Sequence, residues 1–548
     1  MVDILLIQPP VRDFYLTKKR TIPYGLTGIA AALIKDGFSV EILDGLATSK
    51  SRCIDWPREM QYLEKFYGRP DISPFGLFHN FRHYGYSYEF IGKCIRHANP
   101  AMVGFSSLFT AYSDQAHRIA EIVKKIFPNC PTVFGGHHPT AMPEKVMASL
   151  SVDFILRGEG EVSMPLLAGA LKSGASVEKI PGIVFRRRDG SLHISKIAVM
   201  EKPDQFPIPA FHLVKHGFYC RKKRPSAVIV TSRGCPMQCT YCCVGSASWN
   251  RYRQRSVASV LREIENAVVN YNAGFIDFED ENISLNKKWF LELLRRIRSE
   301  FGGAGLELRA MNGLFPPSLD AEVVAAMQQA GFKTLNLALA TIDKAQLKKF
   351  KRPDVTRSFE RALELAAYNK MDAVGYIIAG APGQRAVDTI SDLVFLAGKK
   401  VLAGLSVYYP APDSADFALC EKLGILPSSV GLMRSTALPL SHTTSRIQLA
   451  TLLRLSRIIN FMKALIGQGI AIPPAKAYTM ENLPTDRRMA GQKLLQWFLH
   501  DGRIRGITPE GQIYAHTIDE NLSRMFIAQI QLPSEWPAAA PEPAGGSS

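Results

Sequence analysis

One short segment carries the strongest chemical signal in the chain, and it reads Arg233-Gly234-Cys235-Pro236-Met237-Gln238-Cys239-Thr240-Tyr241-Cys242-Cys243. Three of its cysteines, Cys235, Cys239 and Cys242, follow the spacing Cx3Cx2C. Thiolates are soft ligands that suit zinc or iron–sulfur clusters, but structural zinc usually takes four ligands in two pairs, and a second pair is absent. Three thiolates on one loop can instead hold three irons of a four-iron cluster, which leaves the fourth iron open to a small molecule.

Strand-like and helix-like runs alternate from this segment onward. Six β-rich runs are predicted as strands: 227–232, 275–279, 306–310, 334–339, 373–379 and 404–409. Six runs with helical apolar spacing are interleaved with them: 257–271, 287–301, 319–330, 344–350, 357–369 and 387–400. This order predicts a partial parallel (β/α)6 barrel over residues 226–440. Its site should lie at the carboxyl ends of the strands, where the cysteine segment begins.

A second alternation precedes the segment and predicts an α/β domain over residues 1–175. Its candidate strands are 3–8, 38–43, 101–106, 131–135 and 152–156, with helices at 26–35, 113–127 and 144–150. We expect a Rossmann-like open parallel sheet, whose ligands bind at the carboxyl ends of the strands. An aromatic-rich insertion at about 45–99 interrupts the pattern. It is either a helical subdomain with its own small core or a cover over a bound ligand.

The rest of the chain gives weaker signals. Residues 176–225 are rich in proline, lysine and arginine and predict a hairpin followed by a linker. Residues 441–532 predict a mainly helical carboxyl-terminal domain, and the Pro- and Ala-rich residues 533–548 predict a disordered tail. The start of the chain has no basic stretch leading into an apolar run, so we expect a cytoplasmic protein. The remaining cysteines are expected to be ordinary thiols, namely Cys53, Cys94, Cys130, Cys220, Cys243 and Cys420.

Charge does not select a partner by itself. The chain has 66 Lys and Arg residues against 49 Asp and Glu, a formal net charge of +17, in short clusters such as 18–20, 186–188, 221–224 and 348–352. Such clusters can favour nucleic acid, an anionic membrane surface or negatively charged cofactors. Because no aromatic-interleaved motif accompanies them, we interpret most as solvated basic faces and expect no nucleic-acid partner.

With Tyr241 just before its last cysteine, the segment resembles that of the radical S-adenosylmethionine (SAM) superfamily. The resemblance implies that Cys235, Cys239 and Cys242 hold a 4Fe–4S cluster whose open iron is chelated by SAM. It also implies contacts to SAM from residues at the following strand ends, which are Tyr241, Glu279, Asp280, Arg309, Asn312 and Gly380. The run 375–384 is similar to the family's adenine-binding stretch, although Gln384 replaces the usual glutamate. At 337–341 the family's Gly-Ile-Glu-Ser type of segment is absent.

The amino-terminal domain resembles the cobalamin-binding domain of B12-dependent radical SAM enzymes. Neither a GxGxxG fingerprint nor a GKS phosphate loop follows its first strand. The residues that carry the resemblance, and that it implies as cobalamin contacts, are Gln8, Pro9, Pro10, Tyr24, Gly25, Ser106, Ser107, Leu108, Gly135, Gly136, His137, Gly158 and Glu159. The Asp-x-His-x-x-Gly segment that supplies a histidine ligand in many B12 proteins is missing. We therefore expect cobalt to lack that lower ligand, and His137 and His138 to be loop histidines.

Together the resemblances imply an enzyme with a 4Fe–4S cluster, SAM and cobalamin as cofactors, most simply a methyltransferase. A deoxyadenosyl radical would activate an unactivated substrate carbon, and methylcobalamin would deliver the methyl group. The alternatives are a B12-binding radical SAM enzyme that catalyses cyclisation, rearrangement or oxidation, and a non-catalytic zinc protein that binds nucleic acid. Expected partners are a small-molecule or lipid substrate and an electron donor such as flavodoxin or ferredoxin, with peripheral membrane contact left open.

Overall fold

The computed structural model describes residues 2–16, 21–246, 251–480 and 483–535. The basic cluster at 18–20 and the predicted tail from residue 536 onward lie outside the described residues. The strands are β1 (Ile4–Gln8), β2 (Val11–Asp13), β3 (Val40–Asp44), β4 (Ser51–Cys53), β5 (Arg82–Tyr84), β6 (Met102–Ser106), β7 (Thr132–Gly135), β8 (Phe154–Leu156), β9 (Ile183–Arg186), β10 (Leu192–Ile194), β11 (Cys220–Arg221), β12 (Arg224–Ile229), β13 (Ser232–Arg233), β14 (Arg253–Gln254), β15 (Phe275–Phe278), β16 (Glu307–Ala310), β17 (Thr334–Ala340), β18 (Asp372–Ala379), β19 (Leu402–Val407), β20 (Arg505–Ile507) and β21 (Ile513–Ala515). The helices are α1 (Tyr24–Lys35), α2 (Glu64–Tyr67), α3 (Tyr88–Ala98), α4 (Ser113–Ile126), α5 (His137–Ala141), α6 (Pro143–Met147), α7 (Gly160–Ser173), α8 (Cys243–Ser246), α9 (Val257–Glu265), α10 (Lys287–Phe301), α11 (Ala321–Ala330), α12 (Lys344–Lys349), α13 (Thr356–Tyr368), α14 (Ala386–Ala397), α15 (Ala415–Lys422), α16 (Arg446–Gly467), α17 (Arg487–Asp501) and α18 (Glu520–Gln529).

The amino-terminal sheet has seven strands in the order β10-β9-β8-β7-β6-β1-β3. The five strands from β3 to β8 run parallel, because the helices between them return the chain to the same edge. Helices α1 and α7 cover the apolar side chains of one face, and α3 and α4 cover those of the other. Strand β1 lies between β3 and β6, so the strand order reverses there. In sheets of this kind the crevice at the carboxyl ends beside that point binds the ligand.

Two elements of this domain differ from the prediction. The hairpin expected within residues 176–225 is β9 and β10, and it pairs antiparallel with β8, so it extends the sheet instead of leading directly into a linker. Helix α7 was not predicted, because Pro165 lies inside it and lowers its helical propensity.

The aromatic-rich segment at 45–99 does not form a helical subdomain with its own core, which corrects one interpretation of its sequence. Strand β5 pairs with both β2 and β4 in a small three-stranded sheet, and α3 covers the main sheet. Phe66 and Phe75 join the core that the barrel shares with α16. Arg454 of α16 donates hydrogen bonds to the carbonyl oxygens of Phe66 at 3.0 Å and Phe75 at 3.2 Å. The segment therefore connects the amino-terminal domain to helix α16 of the carboxyl-terminal region.

The second sheet system is a six-stranded parallel half-barrel that follows the predicted alternation strand by strand. Strands β12, β15 and β16 are parallel neighbours, and so are β17, β18 and β19. Parallel bridges from Leu308 to Phe332 and from Leu314 to Leu337 join the two groups. The outward apolar residues of the strands share one continuous core with the surrounding helices. The predicted fold class is confirmed.

The carboxyl-terminal region is mainly helical, as predicted, with α16, α17, α18 and the short β20–β21 hairpin. Helix α16 has 22 residues and begins at a capping box formed by Ser445 and Gln448. It packs against α14 and β19 and closes one side of the barrel. Within the described ranges, no helix is long and apolar enough to cross a membrane.

Candidate functional site

The cysteine loop follows the short strand β13, which comes after β12, and contacts around Thr240 hold it in place. Gly234 has a φ of 78°, in the left-handed region that favours glycine, so the chain turns just before Cys235. The Thr240 amide donates to the Phe350 carbonyl at 3.1 Å, and its hydroxyl donates to the Lys349 carbonyl at 3.2 Å. The Thr240 carbonyl accepts from the amide of Asp416 at 2.9 Å. Segments from two barrel loops thus fix the middle of the cysteine loop.

The three thiols predicted as cluster ligands lie near one another on the loop. Cys239 is 5% exposed, and Cys235 and Cys242 are partly exposed. Burial raises the pKa of Cys235 and of Cys242, and neighbouring thiols of the loop add to both increases, so these sulfur atoms lie within electrostatic range of one another. In the described part of the chain, no three His, Cys, Asp or Glu side chains are close enough to hold a single metal ion. Three soft donors close together on one loop fit a cluster, whose irons each take one thiolate.

Glu281 lies near the thiols of the cysteine loop, although the sequence analysis did not select it. Its charge contributes to the raised pKa of Cys235, Cys242 and Cys243, and burial raises the pKa of Glu281 itself to about 7. Alternation along an extended chain could have indicated it, because Glu279 and Glu281 then share a side that the intervening residue does not. Cys243 is the first residue of α8, and burial raises its pKa to about 11.

Asp280, predicted to bind SAM, is engaged elsewhere. Its carboxylate is 3% exposed and accepts hydrogen bonds from the Thr231 amide at 3.1 Å, the Thr231 hydroxyl at 2.7 Å and the Ser232 hydroxyl at 2.5 Å. Burial raises the pKa of Asp280, and these donors oppose the increase. The contact of Asp280 with SAM stays a prediction, and the structure gives this carboxylate a positioning role. Asp280 positions the two residues that precede Arg233, and with them the start of the cysteine loop.

The residues predicted at the end of the third barrel strand contact its neighbours. Arg309 forms an ion pair with Asp277 of β15, with its Nε 3.1 Å from Oδ2, and its guanidinium lies 5.1 Å from the Phe275 ring centre. The side-chain amide of Asn312 donates to the backbone carbonyl of Glu279 at 2.9 Å. The structure therefore brings Asn312 and Glu279 together at the strand ends, whereas the Arg309 guanidinium already binds a carboxylate.

Gly380 lies where β18 meets the start of α16. Its φ is 80°, and a Cβ atom there would lie 2.7 Å from a methyl carbon of Leu449. Gln384 is buried in the same loop, donating to the Ile378 carbonyl at 2.8 Å and accepting from the Ala381 amide at 3.2 Å. Packing thus explains the glycine and the glutamine here, and the adenine contact of Gly380 stays a prediction.

Arg352 is a second residue that the sequence analysis missed. Its Nη1 lies 3.3 Å from the hydroxyl of Tyr241 and 3.9 Å from the Sγ of Cys239, and its Nη2 donates to the Ala338 carbonyl at 2.6 Å. The Tyr241 ring also packs edge-on against Phe350, with the ring centres 4.9 Å apart. The basic run 348–352 is one of the clusters of which most are interpreted as solvated faces, and nothing in its sequence indicates that its last residue turns inward.

The predicted cobalamin residues after β6 and β7 form one continuous edge. Ser106 pairs with Gly135 across the two strands, and the amide of Ser107 donates to the Gly135 carbonyl at 2.8 Å. Gly136 has a φ of 116°, and a Cβ atom there would lie 2.7 Å from the carbonyl oxygen of Ser107, so the two loops touch. The Ser107 hydroxyl is buried and finds no hydrogen-bond partner among the described residues. A ligand at this edge would find an unused polar group.

Large side chains beside this edge are open to solvent. Leu108 is 44% exposed and Phe109 is 56% exposed. His137 is exposed as well. His138 instead points inward, hydrogen-bonds the Thr110 hydroxyl at 3.2 Å, and has its pKa lowered by burial to about 4. A small-residue edge flanked by exposed apolar side chains fits a large flat ligand such as a corrin.

The remaining predicted residues of the first strand end are packed within the domain. The side-chain amide of Gln8 donates to the Thr21 carbonyl at 2.6 Å and to the carboxylate of Asp44 at 2.9 Å, which joins the ends of β1 and β3. Pro9 and Pro10 form the turn between β1 and β2. Gly25 is exposed in the first turn of α1, with nothing within 4 Å of an added Cβ.

Tyr24 and Glu159 make contacts with the barrel, and their predicted contacts with cobalamin stay predictions. Tyr24 hydrogen-bonds Glu263 of α9, and burial raises the pKa of the Tyr24 hydroxyl. Glu159 forms ion pairs with Arg233 at 3.3 Å and Arg253 at 2.8 Å. Gly158, with a φ of 88°, bridges to Ala198 and lets the chain turn before Glu159.

These ion pairs bring the two strand-end edges together. Arg233 lies two residues before Cys235 and binds Glu161 at 2.5 Å as well as Glu159. Farther along the edge, Asp413 lies in the barrel loop after β19. Burial raises the pKa of Asp413, and the positive charge of Arg157 opposes that increase. The cysteine loop therefore sits against the carboxyl end of β8, and the two candidate cofactor sites adjoin.

Comparisons with known proteins agree with this arrangement. Family models match at residues 82–168 for the B12 binding domain and at 229–394 for the radical SAM superfamily. An uncharacterized methyltransferase of Pyrococcus horikoshii is 26% identical over 390 residues, which cover 70% of this chain and 75% of the relative. The cytidylyl-2-hydroxyethylphosphonate methyltransferase of Streptomyces wedmorensis is 26% identical over 414 residues, which cover 69% and 73%. The solved structure of TsrM, a radical SAM methyltransferase from Kitasatospora setae with bound cobalamin and a 4Fe–4S cluster, superposes with a TM-score of 0.59 at 17% identity, covering 78% of this chain and 76% of that one.

An open parallel sheet with a small-residue edge, facing a half-barrel that carries a three-thiol loop, defines the class of cobalamin-binding radical SAM enzymes. This chain is a radical SAM enzyme with a B12-binding domain, and its cofactors are a 4Fe–4S cluster, SAM and cobalamin. The predicted family and the predicted cofactors are confirmed.

Proposed function

We propose that this enzyme is a methyltransferase that transfers a methyl group to an unactivated carbon of a small-molecule substrate. The observation that carries the proposal is the set of ion pairs from Arg233 to Glu159 and Glu161, which holds the thiol loop against the B12-binding edge. Two cofactors that share one substrate must act within reach of the same carbon. Two relatives that align over more than two thirds of their own length are named methyltransferases.

The residues of the chain align and shield the cofactors, which supply the chemistry. When bound, the cluster supplies an electron to SAM and cobalamin supplies the methyl group. Cys235, Cys239 and Cys242 would hold the cluster, and the carboxylates of Glu279 and Glu281 would accept hydrogen bonds from the amino group of SAM. On the opposite side, the free hydroxyl of Ser107 and the ring of His137 would contact the corrin or its side amides.

Further parts of the proposal concern the surroundings of the enzyme. We place it in the cytoplasm, with flavodoxin or ferredoxin as the electron donor and with no nucleic-acid partner.

The alternative outcome, cyclisation or oxidation without methyl transfer, uses the same site. Methyl-labelled SAM separates the two, because only a methyltransferase passes the label to cobalamin or product. Anaerobic protein loaded with iron, sulfide and hydroxocobalamin is expected to move label from SAM to the corrin under reducing conditions. Absence of transfer would favour the alternative.

The cluster assignment has its own test. Replacing any one of Cys235, Cys239 or Cys242 with alanine is expected to remove most bound iron, because the loop offers no other donor in the same place. Cys243→Ala is the matched control, since it removes a buried thiol from the same loop, and it should keep the iron content of the parent protein. Iron and sulfide analysis after anaerobic reconstitution measures both. Full iron content in a ligand variant would refute the assignment.

A further inference from the structure

Arg352 places a buried positive charge against a thiol of the cysteine loop. Its side chain is 9% exposed, and its Nη1 reaches both the Sγ of Cys239 at 3.9 Å and the hydroxyl of Tyr241 at 3.3 Å. A guanidinium stays protonated throughout the ordinary pH range. Its contacts therefore bring a permanent charge next to one of the three thiols.

The backbone fixes this placement. Helix α12 ends in a Schellman arrangement, in which the Arg352 amide donates to the Leu347 carbonyl at 3.0 Å and the Lys351 amide donates to the Lys348 carbonyl at 3.2 Å. Lys351 accordingly takes a left-handed φ of 50°. The chain turns back toward the cysteine loop at this point, and the bond from Nη2 to the Ala338 carbonyl anchors the far side of the guanidinium.

Among the residues that the structure describes, Arg352 has no counterion. Within the described ranges no carboxylate lies within ion-pair distance of it, and its Nε is buried without a hydrogen-bond partner. Arg309 is the contrast, because it is also inside the barrel but pairs with Asp277. A buried, unpaired charge is costly, so such a group is retained where a bound anion compensates it. The Nη1 of Arg352 lies on the side of the guanidinium that faces the thiol of Cys239.

We propose that Arg352 is a positioning residue that stabilises the reduced form of the cluster through the sulfur of Cys239. The inference rests on the proposed function, because it requires Cys239 to be a cluster ligand. Three thiolates and an oxidised 4Fe–4S core carry one net negative charge, and one-electron reduction by a low-potential donor raises this to two. A fixed positive charge and an N–H···S contact favour the more negative state, since hydrogen bonds and net charge set the potentials of such clusters.

The test is a redox titration of reconstituted protein, followed by electron paramagnetic resonance, with dithionite as the reductant. In Arg352→Gln and Arg352→Met we expect the ratio of reduced to oxidised cluster at a given potential to fall roughly tenfold, a shift of about 59 mV to more negative potential for one electron. Arg352→Lys keeps the charge and should titrate closer to the parent. Arg357→Gln removes one exposed charge nearby and should not shift the potential.

Each outcome decides the inference. Equal potentials in Arg352→Gln and the parent would overturn it, and so would folded Gln and Met variants that hold no iron, because the guanidinium would then serve assembly. An unchanged potential with weaker SAM binding by calorimetry would mean that Arg352 binds the SAM carboxylate instead. If the parent protein itself forms no cluster, the proposed function fails.

Discussion

At the residue scale, the carboxylate of Asp280 contributes more to the stability of the fold than its place in an acidic run suggests. Replacing Asp280 with alanine leaves buried donors of Thr231 and Ser232 without an acceptor, at a cost of about 3 kcal/mol in the free energy of unfolding. Asp280→Asn keeps one acceptor and should cost less. Urea denaturation measures both variants. Equal stability of Asp280→Ala and the parent would show that the carboxylate is not needed to hold this loop.

The contacts of individual side chains were the least predictable feature of the molecule from its sequence. The cysteine spacing selected Cys235, Cys239 and Cys242 because adjacent positions on one loop must lie close together. Asp280 and Tyr24 were predicted from their positions at element ends, but their side chains turn toward neighbouring segments. Arg352 could not be found at all, because its contact with Cys239 depends on how a helix end 113 residues away packs against the loop.

At the scale of elements, the junction between β18 and α16 depends on Gly380. In Gly380→Ala the left-handed φ and the contact with Leu449 both oppose the side chain, so we expect a loss of about 3 kcal/mol in the free energy of unfolding. Gly424→Ala is the matched control, because its φ is 66° but nothing lies within 4 Å of the added carbon. It should lose only about 1 kcal/mol. Chemical denaturation compares the two, and equal losses would contradict the proposed packing conflict.

Elements with strong periodicity were predicted well, and the misses have physical causes. The buried parallel strands and amphipathic helices of the barrel repeat regularly, so their order could be predicted from the sequence. Helix α7 carries Pro165, which lowers its local preference although packing against α1 stabilises the helix. Strands β9 and β10 were predicted as a local hairpin, since only the tertiary structure shows that the edge of β8 accepts them.

At the scale of the whole molecule, a buried polar network joins the insertion to the carboxyl-terminal region. His516 hydrogen-bonds Asp71 at 2.8 Å, and Arg454 lies 3.8 Å from the same carboxylate. Burial is the largest cause that lowers the pKa of His516 to about 4, and Asp71 opposes it. Burial by itself would raise the pKa of Asp71. The hydrogen bond and charge of His516 oppose it, and the pKa of Asp71 is lowered overall.

This network predicts loss of stability in mild acid. Below pH 6.5 the unfolded chain protonates His516, whereas the folded chain does so only near pH 4, so the free energy of unfolding should fall over that window by about 3 kcal/mol from this group. His516→Gln should show a shallower decline, while His138, with a pKa of about 4, still contributes. Thermal unfolding at several pH values measures the slopes. Identical slopes in the two proteins would contradict the prediction.

The amino-acid sequence alone determined the order of the two sheets, the three-thiol loop and the family of cofactors, because periodic burial and short-range spacing are properties of neighbouring residues. Only the tertiary structure decided which side chains meet across the molecule. Glu159 binds Arg233 across 74 positions, and Arg352 reaches Cys239 across 113, since a buried charge takes whatever partner the packing brings near.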